Sequence, residues 1–178
     1  MTFTETELKG CYIIDFFNAH DNRGSFVKPF HADTLLKNGL SADFTESFYS
    51  VSHKGVIRGM HFQTPPSQHV KLVYCGVGKL VDVILDIRKD SPTYGKSISV
   101  ELTGDNFKGV YIPEGMAHGF ETLEDNTLMT YLTTAVYDPN ADAGIRYDSF
   151  DHQWESKQPI VSDRDLSFEA FDQYQSPF

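Results

Sequence analysis

The stretch Lys79-Leu-Val-Asp-Val-Ile-Leu-Asp-Ile-Arg88 carries the clearest structural signal in this chain of 178 residues. Apolar residues at positions 81, 83, 85 and 87 alternate with a second set, at 82, 84, 86 and 88, that holds the charges. Such alternation sends successive side chains to opposite faces and is typical of a β-strand with two distinct faces. The sequence therefore predicts a strand over Lys79–Arg88.

Nine further segments on either side of this stretch have the composition of short strands. They are rich in Val, Ile, Phe, Tyr and Thr, and turns rich in Gly, Pro, Asn and Asp separate them. These segments are Cys11–Phe17, Ser25–Phe30, Phe44–Val51, Val56–Gln63, Val70–Cys75, Ser97–Leu102, Gly109–Ile112, His118–Leu123 and Leu128–Tyr137. This spacing predicts an antiparallel sandwich or barrel, because a parallel sheet would need a helix between each pair of strands.

Two short helices complete the prediction, over Ala32–Lys37 and Asp165–Tyr174. The loop at residues 138–144 is the one candidate boundary along the chain. We expect a single all-β domain over residues 1–178, with a barrel at about 10–137. The C-terminal segment at residues 138–178 is expected to fold back on that barrel.

The charge of the chain limits its partners. It holds 25 acidic and 15 basic residues, a formal charge of −10, and its hydrophobic fraction of 40% is too high for a disordered chain. Nucleic acids and anionic membranes both favour basic surfaces, so neither is expected as a partner. Nine acidic and three basic residues lie in the segment 138–178, so the acidic excess is mostly a property of that segment.

The cysteine content and the N-terminus favour a cytoplasmic protein. Cys11 and Cys75 are too few for a disulfide framework or a cysteine metal site, which points to a reducing compartment. The first nine residues lack the basic start and apolar run of a signal peptide, and no stretch is long and apolar enough for a membrane span.

The stretch from Gly55 to Lys71 holds the densest group of reactive side chains. Arg58 and His61 are three residues apart, so simple alternation places them on opposite faces of a strand unless a bulge intervenes, and Gly59 is a suitable place for one. An Arg, a His and a Lys that share one apolar cavity need anionic partners or a ligand, because burying unpaired charge is costly. The alternative is that each side chain reaches solvent and pairs locally.

Other chemistries find little support in the sequence. His61, His69 and His118 lack the close spacing of β-barrel metal ligands, so no metal is expected, and His118 follows a Pro-Glu-Gly turn where a structural role is common. The chain also lacks a Gly-rich phosphate loop and a Gly-x-Ser-x-Gly elbow. Cys75 lies in an apolar strand, where a thiol is inert.

Several longer motifs together resemble a known family. They are Asp21-Asn-Arg23-Gly24-Ser-Phe26, Gly55-Val-Ile-Arg58-Gly59-Met-His61-Phe-Gln63-Thr-Pro65-Pro66, Lys71-Leu-Val, Ile112-Pro-Glu-Gly115-Met-Ala-His118-Gly119-Phe120 and Gly144-Ile-Arg. In nearly gapless register over about residues 10 to 170, they resemble the dTDP-4-keto-6-deoxyglucose 3,5-epimerases of the rhamnose pathway. The resemblance implies a cupin-like jelly roll, a homodimer and a nucleotide-diphospho-sugar substrate. It also implies catalysis without a metal or other cofactor, for the synthesis of surface polysaccharide.

The resemblance also implies catalytic roles. Inverting a carbon beside a ketone needs a base, a group that stabilises the enolate oxygen, and an acid on the opposite face. By the resemblance, the base is His61 oriented by Asp165, with Asp163 as the alternative carboxylate. Lys71 would hold the enolate oxygen, and Tyr131 would be the acid.

Substrate-binding roles follow in the same way. Arg58 would grip the pyrophosphate, helped by Arg23 of the partner subunit. His118 and Asp82 would line the sugar pocket, while Phe26 and Tyr137 would surround the nucleotide base.

Three positions depart from the family pattern around the base. The family usually has Glu where this chain has Lys28, and it commonly has Gln and Asn where this chain has Glu46 and Phe48. A Lys can only donate hydrogen bonds, so an inward Lys28 would suit a base with an acceptor there, such as cytosine. The alternatives are therefore an epimerase that acts on a CDP-linked sugar or at one carbon only, a keto-isomerase, and a non-catalytic sugar-nucleotide-binding cupin.

Overall fold

A computed structural model describes residues 1–178, which form thirteen strands and two short helices. The strands are β1 (Thr2–Glu5), β2 (Tyr12–Asp15), β3 (Phe17–Asp21), β4 (Gly24–Lys28), β5 (Glu46–Ser52), β6 (Ile57–Gln63), β7 (Lys71–Val77), β8 (Lys79–Asp86), β9 (Ser97–Thr103), β10 (Lys108–Ile112), β11 (Met116–Thr122), β12 (Thr127–Thr133) and β13 (Asp142–Gly144). The helices are α1 (Ala32–Lys37) and α2 (Asp163–Leu166), and neither is long and apolar enough to cross a membrane.

The strands form two main antiparallel sheets. One has the order β1-β2-β10-β7-β12-β5 and the other has the order β13-β6-β11-β8-β9, while β3 and β4 pair only with each other. A cluster of 14 buried residues draws side chains from both main sheets, including Val73 of β7 and Ile84 of β8. The antiparallel sandwich that the strand pattern predicts is therefore confirmed, and its architecture is a cupin-like jelly roll.

Strand β8 contains most of the alternating stretch Lys79–Arg88, and its two faces pack on different parts of the molecule. Leu80 and Ile84 face the core between the sheets, and Asp82 lies on this same inner face of the strand. The opposite face, with Val83 and Leu85, packs beneath the C-terminal segment. The C-terminal segment thus covers the face of β8 that carries Val83 and Leu85, and the face that carries Asp82 points into the barrel.

Some predicted elements are confirmed and others are wrong. Helix α1 has the predicted bounds, but the C-terminal helix is only Asp163–Leu166, not Asp165–Tyr174. The chain leaves the helix after Leu166, and the ring of Phe168 packs near His61 while Tyr174 packs on Phe62. A regular helix could not direct its aromatic side chains to these separate sites.

The strand predictions missed three short strands and misplaced several ends. Strands β1, β3 and β13 have only three to five residues, too few for a period-2 pattern to stand out. Strand β4 ends at Lys28, one residue before Pro29, which lacks the N–H that a ladder needs. Strand β12 ends at Thr133, well short of the predicted Tyr137.

A bulge at Gly59 joins β6 to β11. His61 pairs with His118 and Arg58 with Phe120, so three steps along β6 match two along β11. Gly59 has φ +143°, and a Cβ added there would lie 2.5 Å from Cα of Gly119. Only glycine fits both constraints, and the extra residue turns Arg58 and His61 toward the same side.

The Gly59 constraint gives a stability prediction. Gly59→Ala is expected to lower the free energy of unfolding by about 3 kcal/mol or more, because it adds a backbone clash to a strained φ. Gly24→Ala is the matched control, because Gly24 has φ +115° with no atom within 4 Å of an added Cβ, and it is expected to cost only about 1 kcal/mol. Urea unfolding of both variants measures the difference, and equal costs would contradict this reading.

Candidate active site

A cavity of about 280 Å³ opens between the two sheets. Its lining is rich in basic and aromatic side chains. The residues are Glu46, Phe48, Ser50, Arg58, His61, Phe62, Gln63, His69, Lys71, His118, Phe120, Tyr131, Thr133, Ala135, Tyr137, Asp142 and Arg164. The sequence predicted seven of these as site residues, and strands β5, β6, β7, β11 and β12 carry most of the lining residues.

His61 and Asp165 form a tight pair at this cavity. The Nε2 atom of His61 lies 2.8 Å from Oδ1 of Asp165, and Oδ2 of the same carboxylate accepts the backbone N–H of Gly59 at 3.1 Å. Burial raises the pKa of Asp165, but these hydrogen bonds and the charge of His61 outweigh it, so the pKa is lowered. A carboxylate on Nε2–H leaves Nδ1 as the free, basic nitrogen of the ring.

Helix α2 brings Asp165 to this position. Ser162 caps the helix, and its Oγ accepts the N–H of Asp165 at 3.1 Å. Asp165 is buried, whereas Asp163 is exposed, so Asp165 and not Asp163 is the partner of His61. The ring of Phe168 packs edge-on against His61 at 5.8 Å and limits its movement.

Lys71 brings a buried ammonium group to the cavity. Its Nζ donates to the backbone oxygen of His61 at 2.9 Å. Burial lowers the pKa of Lys71 to about 8, although the charges of Asp82 and Asp142 oppose that shift. The pKa of Lys71 therefore lies close to neutral pH, and a small rise in pH removes the charge of its ammonium group, which lies beside His61.

A second His–Asp pair lies deeper in the barrel. Nε2 of His118 is 2.5 Å from Oδ1 of Asp82, and both side chains are buried. Burial raises the pKa of Asp82 and lowers the pKa of His118, in each case against their mutual attraction. His118 lines the cavity and Asp82 lies behind it, so Asp82 meets the cavity through His118, and its predicted role in binding the sugar stays a prediction.

Tyr131 stands on β12 with aromatic rings around it. The ring of Phe48 is stacked on it at a centroid distance of 4.6 Å and an angle of 15°, and His118 meets it edge-on at 6.0 Å. Burial raises the pKa of Tyr131 well above its usual value, so the phenol keeps its proton at neutral pH.

The remaining cavity residues differ in how they are held. Nε of Arg58 donates to Oγ of Ser52 at 3.0 Å. The carboxylate of Glu46 accepts the backbone N–H of Tyr137 at 2.9 Å. These contacts fix the side chains of Arg58 and Glu46 at the cavity wall.

Three predicted binding residues lie elsewhere. Arg23, Phe26 and Lys28 are on the β3–β4 hairpin, and none of them lines the cavity of the same chain. Arg23 pairs with Asp21 at 2.6 Å, and Phe26 is 59% exposed. Phe26 and Lys28 therefore do not reach the cavity of their own chain, and their role around the base stays a prediction.

Several site residues escaped the sequence analysis. Arg164 lies at the cavity, paired with Asp142 at 2.6 Å and stacked over Phe168 at 5.2 Å. The only sequence feature that pointed to Arg164 was its position next to Asp165. Its ion pair with Asp142 joins α2 to β13, and such a contact between distant segments cannot be read from the local sequence. No group of three His, Cys, Asp or Glu side chains is placed to hold a metal ion.

His69 also lines the cavity, although the sequence predicted no role for it beyond a rejected one as a metal ligand. The amide Nε2 of Gln63 faces its Nδ1 at 3.1 Å and also donates to the backbone oxygen of Ser67, while Oε1 of Gln63 accepts the N–H of Asp138. This orientation makes Nδ1 an acceptor and leaves the proton on Nε2, which is buried without a partner. Burial lowers the pKa of His69 to about 3, with the charge of Lys71 acting in the same direction.

Comparison with known proteins identifies the family of the chain. The family profile described as dTDP-4-dehydrorhamnose 3,5-epimerase matches residues 5–173. The dTDP-4-dehydrorhamnose 3,5-epimerase of Shigella flexneri is 36% identical over 174 residues, covering 96% of each chain.

Two solved structures have the same fold. The dTDP-6-deoxy-D-glucose-3,5-epimerase RmlC from Legionella pneumophila Philadelphia 1, in complex with dTDP-4-keto-L-rhamnose, superposes with a TM-score of 0.93 at 31% identity, covering 98% of this chain and 94% of that one. The dTDP-4-dehydrorhamnose 3,5-epimerase from Bacillus anthracis str. Ames, with TDP and PPi bound, gives 0.92 at 31% identity, covering 95% and 98%.

The fold is that of a cupin-like epimerase. The chain belongs to the dTDP-4-dehydrorhamnose 3,5-epimerase family. The resemblance carried by the sequence motifs is thereby confirmed.

The partly buried ring of His69, with its buried Nε2, predicts a pH effect on stability. Below pH 6.5 the unfolded chain takes up a proton at His69 that the folded protein resists until about pH 3, so stability falls as the pH falls. This group is expected to remove about 2 kcal/mol between pH 6.5 and pH 5. Urea unfolding at pH 7 and pH 5 should show a smaller loss for His69→Gln than for the wild type, and equal losses would contradict the prediction.

Proposed function

We propose that this protein inverts C3 and C5 of dTDP-4-keto-6-deoxyglucose. The observation that carries the proposal is the convergence of His61 with Asp165, Lys71 and Tyr131 on one cavity. Family membership supports it, as do the dTDP-linked ligand and the TDP and pyrophosphate in the two solved relatives.

The reaction begins with loss of the proton on the carbon beside the ketone. Nδ1 of His61 accepts that proton, and the carboxylate of Asp165 stabilises the imidazolium that forms. The Gly59 N–H on the same carboxylate keeps Asp165 ionised and oriented.

The enolate that forms carries negative charge on the C4 oxygen. The ammonium of Lys71 stabilises this oxygen, and its burial strengthens the attraction because little water screens it. His118 lies beside it as a second polar group, held by Asp82.

Reprotonation from the other face completes the inversion. The phenol of Tyr131 donates its proton to the carbon, and solvent then returns a proton to the phenolate. The high pKa of Tyr131 keeps the hydroxyl protonated and available for this step.

Binding of the nucleotide needs the partner subunit in this proposal. Arg58 holds the pyrophosphate at the cavity wall, and Arg23 of the partner subunit joins it from the β3–β4 hairpin of a homodimer. That hairpin pairs only with itself and exposes Phe17 and Phe26, which supports its being covered in an assembly. Phe26 and Lys28 of the partner subunit and Tyr137 of this one then surround the base.

We further propose that the enzyme works in the cytoplasm. Both cysteines are free and buried, and burial raises the pKa of Cys11 to about 12 and of Cys75 to about 11. Unreactive thiols of this kind suit a reducing compartment.

One observation makes a CDP-linked 4-keto sugar a second candidate substrate. Glu46 and Phe48 both face the cavity, so the two residues of β5 that depart from the family pattern lie where they can affect substrate specificity.

Solvent deuterium exchange, followed by NMR on dTDP- and CDP-linked 4-keto-6-deoxyhexoses, distinguishes the candidate substrates. Deuterium at C3 and C5 of the dTDP sugar supports the proposal. Exchange at one carbon, exchange on the CDP sugar alone, or binding without exchange would each overturn it in favour of the corresponding alternative.

The proposed base predicts the behaviour of two variants. His61→Ala and Asp165→Asn are each expected to slow deuterium exchange by about 100-fold or more, because general base catalysis is lost. His53→Ala and Asp125→Asn are matched controls, since His53 and Asp125 form an exposed pair at 3.7 Å away from the cavity. Wild-type exchange by His61→Ala would rule out its assigned role.

The proposed role of Lys71 predicts a pH profile. The ammonium is lost as the pH rises through about 8, so kcat/KM of the wild type should fall about tenfold per pH unit above that value. Lys71→Arg should retain activity to higher pH, because guanidinium stays charged. An NMR titration of the Lys71 side chain provides a check that does not need an active variant, and a midpoint near 10.5 would contradict the prediction.

A further inference from the structure

We infer that Phe48 is a positioning residue for Tyr131, fixing the plane of the phenol from which the proton is delivered. The inference rests on the proposed function of Tyr131 as the acid. The two rings lie nearly parallel, with centroids 4.6 Å apart and an angle of 15° between the planes.

The register of the sheet creates this contact. Phe48 of β5 and Tyr131 of β12 are direct cross-strand partners, so their side chains leave the sheet side by side on the same face. Oγ of Ser47 also donates to the backbone oxygen of Tyr131 at 3.0 Å, which anchors the two strands at this point.

Phe48 is the one ring that covers a face of Tyr131. His118 and Phe120 meet Tyr131 at 74° and 54°, with centroids 6.0 and 6.5 Å away, so they bound the phenol at an angle. Phe48 is itself 46% exposed and belongs to none of the three buried clusters. Its packing is thus directed at Tyr131 and the cavity, and its loss would open the covered face of the phenol.

The consequence for the reaction is geometric. In the proton-return step, the O–H bond of Tyr131 breaks as the C–H bond forms on the enolate carbon, and water then reprotonates the phenolate. A phenol free to rock would deliver its proton less often, and small misplacements of a reacting group carry large rate costs. His61 would then return a proton to the face from which it took one, and a deuteron instead once the imidazolium has exchanged with D2O, which regenerates the substrate configuration.

The test compares Phe48→Leu with Phe48→Tyr in D2O. Phe48→Leu keeps an apolar side chain but loses the flat face, and we expect kcat for inversion to fall about 10- to 100-fold. KM should change less than about twofold, and deuterium should accumulate in uninverted substrate. Phe48→Tyr should restore inversion, because a tyrosine ring can stack in the same way.

Tyr49→Leu is the matched control for this experiment. Tyr49 follows Phe48 on β5, points to the opposite face and is 68% exposed, so its replacement should leave the partition between inversion and retention unchanged. A higher KM for Phe48→Leu with an unchanged kcat would overturn the inference and make Phe48 a wall of the binding site. Normal inversion by Phe48→Leu would also overturn it.

A second readout does not depend on turnover. NMR of the Tyr131 ring, assigned with Tyr131→Phe, should show a shift and faster ring flipping in Phe48→Leu, and neither change in Tyr49→Leu. An unchanged Tyr131 ring would overturn the inference. Absence of exchange by the wild type on every 4-keto sugar nucleotide would instead refute the proposed function, so the two failures are distinguishable.

Discussion

The close approach of Gly59 to Gly119 is the constraint on which the site depends. Two backbones meet there without room for a Cβ, and the extra residue in β6 turns both Arg58 and His61 toward the cavity. The same bulge presents the N–H of Gly59 to Asp165, more than 100 residues away in sequence. One backbone irregularity therefore orients a cation, an imidazole and the carboxylate that holds it.

The charges of the cavity differ from those of the molecule as a whole. The chain carries a net charge of −10, yet the cavity wall contains Arg58, Lys71 and Arg164. Of these three groups Lys71 is buried, which keeps its electrostatic effect strong and lowers its pKa at the same time. Such a cavity suits a small anion, whereas the acidic exterior disfavours polyanions.

The sequence allowed the strands to be predicted where alternation was long, as in β8, and it allowed the site to be anticipated through a family resemblance. It did not allow contacts that depend on register to be foreseen. The stacking of Phe48 on Tyr131 needs the alignment of β5 with β12, and the position of Asp82 behind His118 needs that of β8 with β11. The C-terminal helix was overextended because its aromatic residues pack on separate partners, a tertiary effect that local propensity does not contain.

The central claim is that the base and the acid act on opposite faces of one substrate carbon. Tyr131→Phe tests it most directly, with dTDP-4-keto-6-deoxyglucose in D2O and NMR of the recovered sugar. His61 is expected still to exchange the proton, so deuterium enters C3 or C5 with the original configuration retained. Inversion by Tyr131→Phe at the wild-type rate would contradict the account.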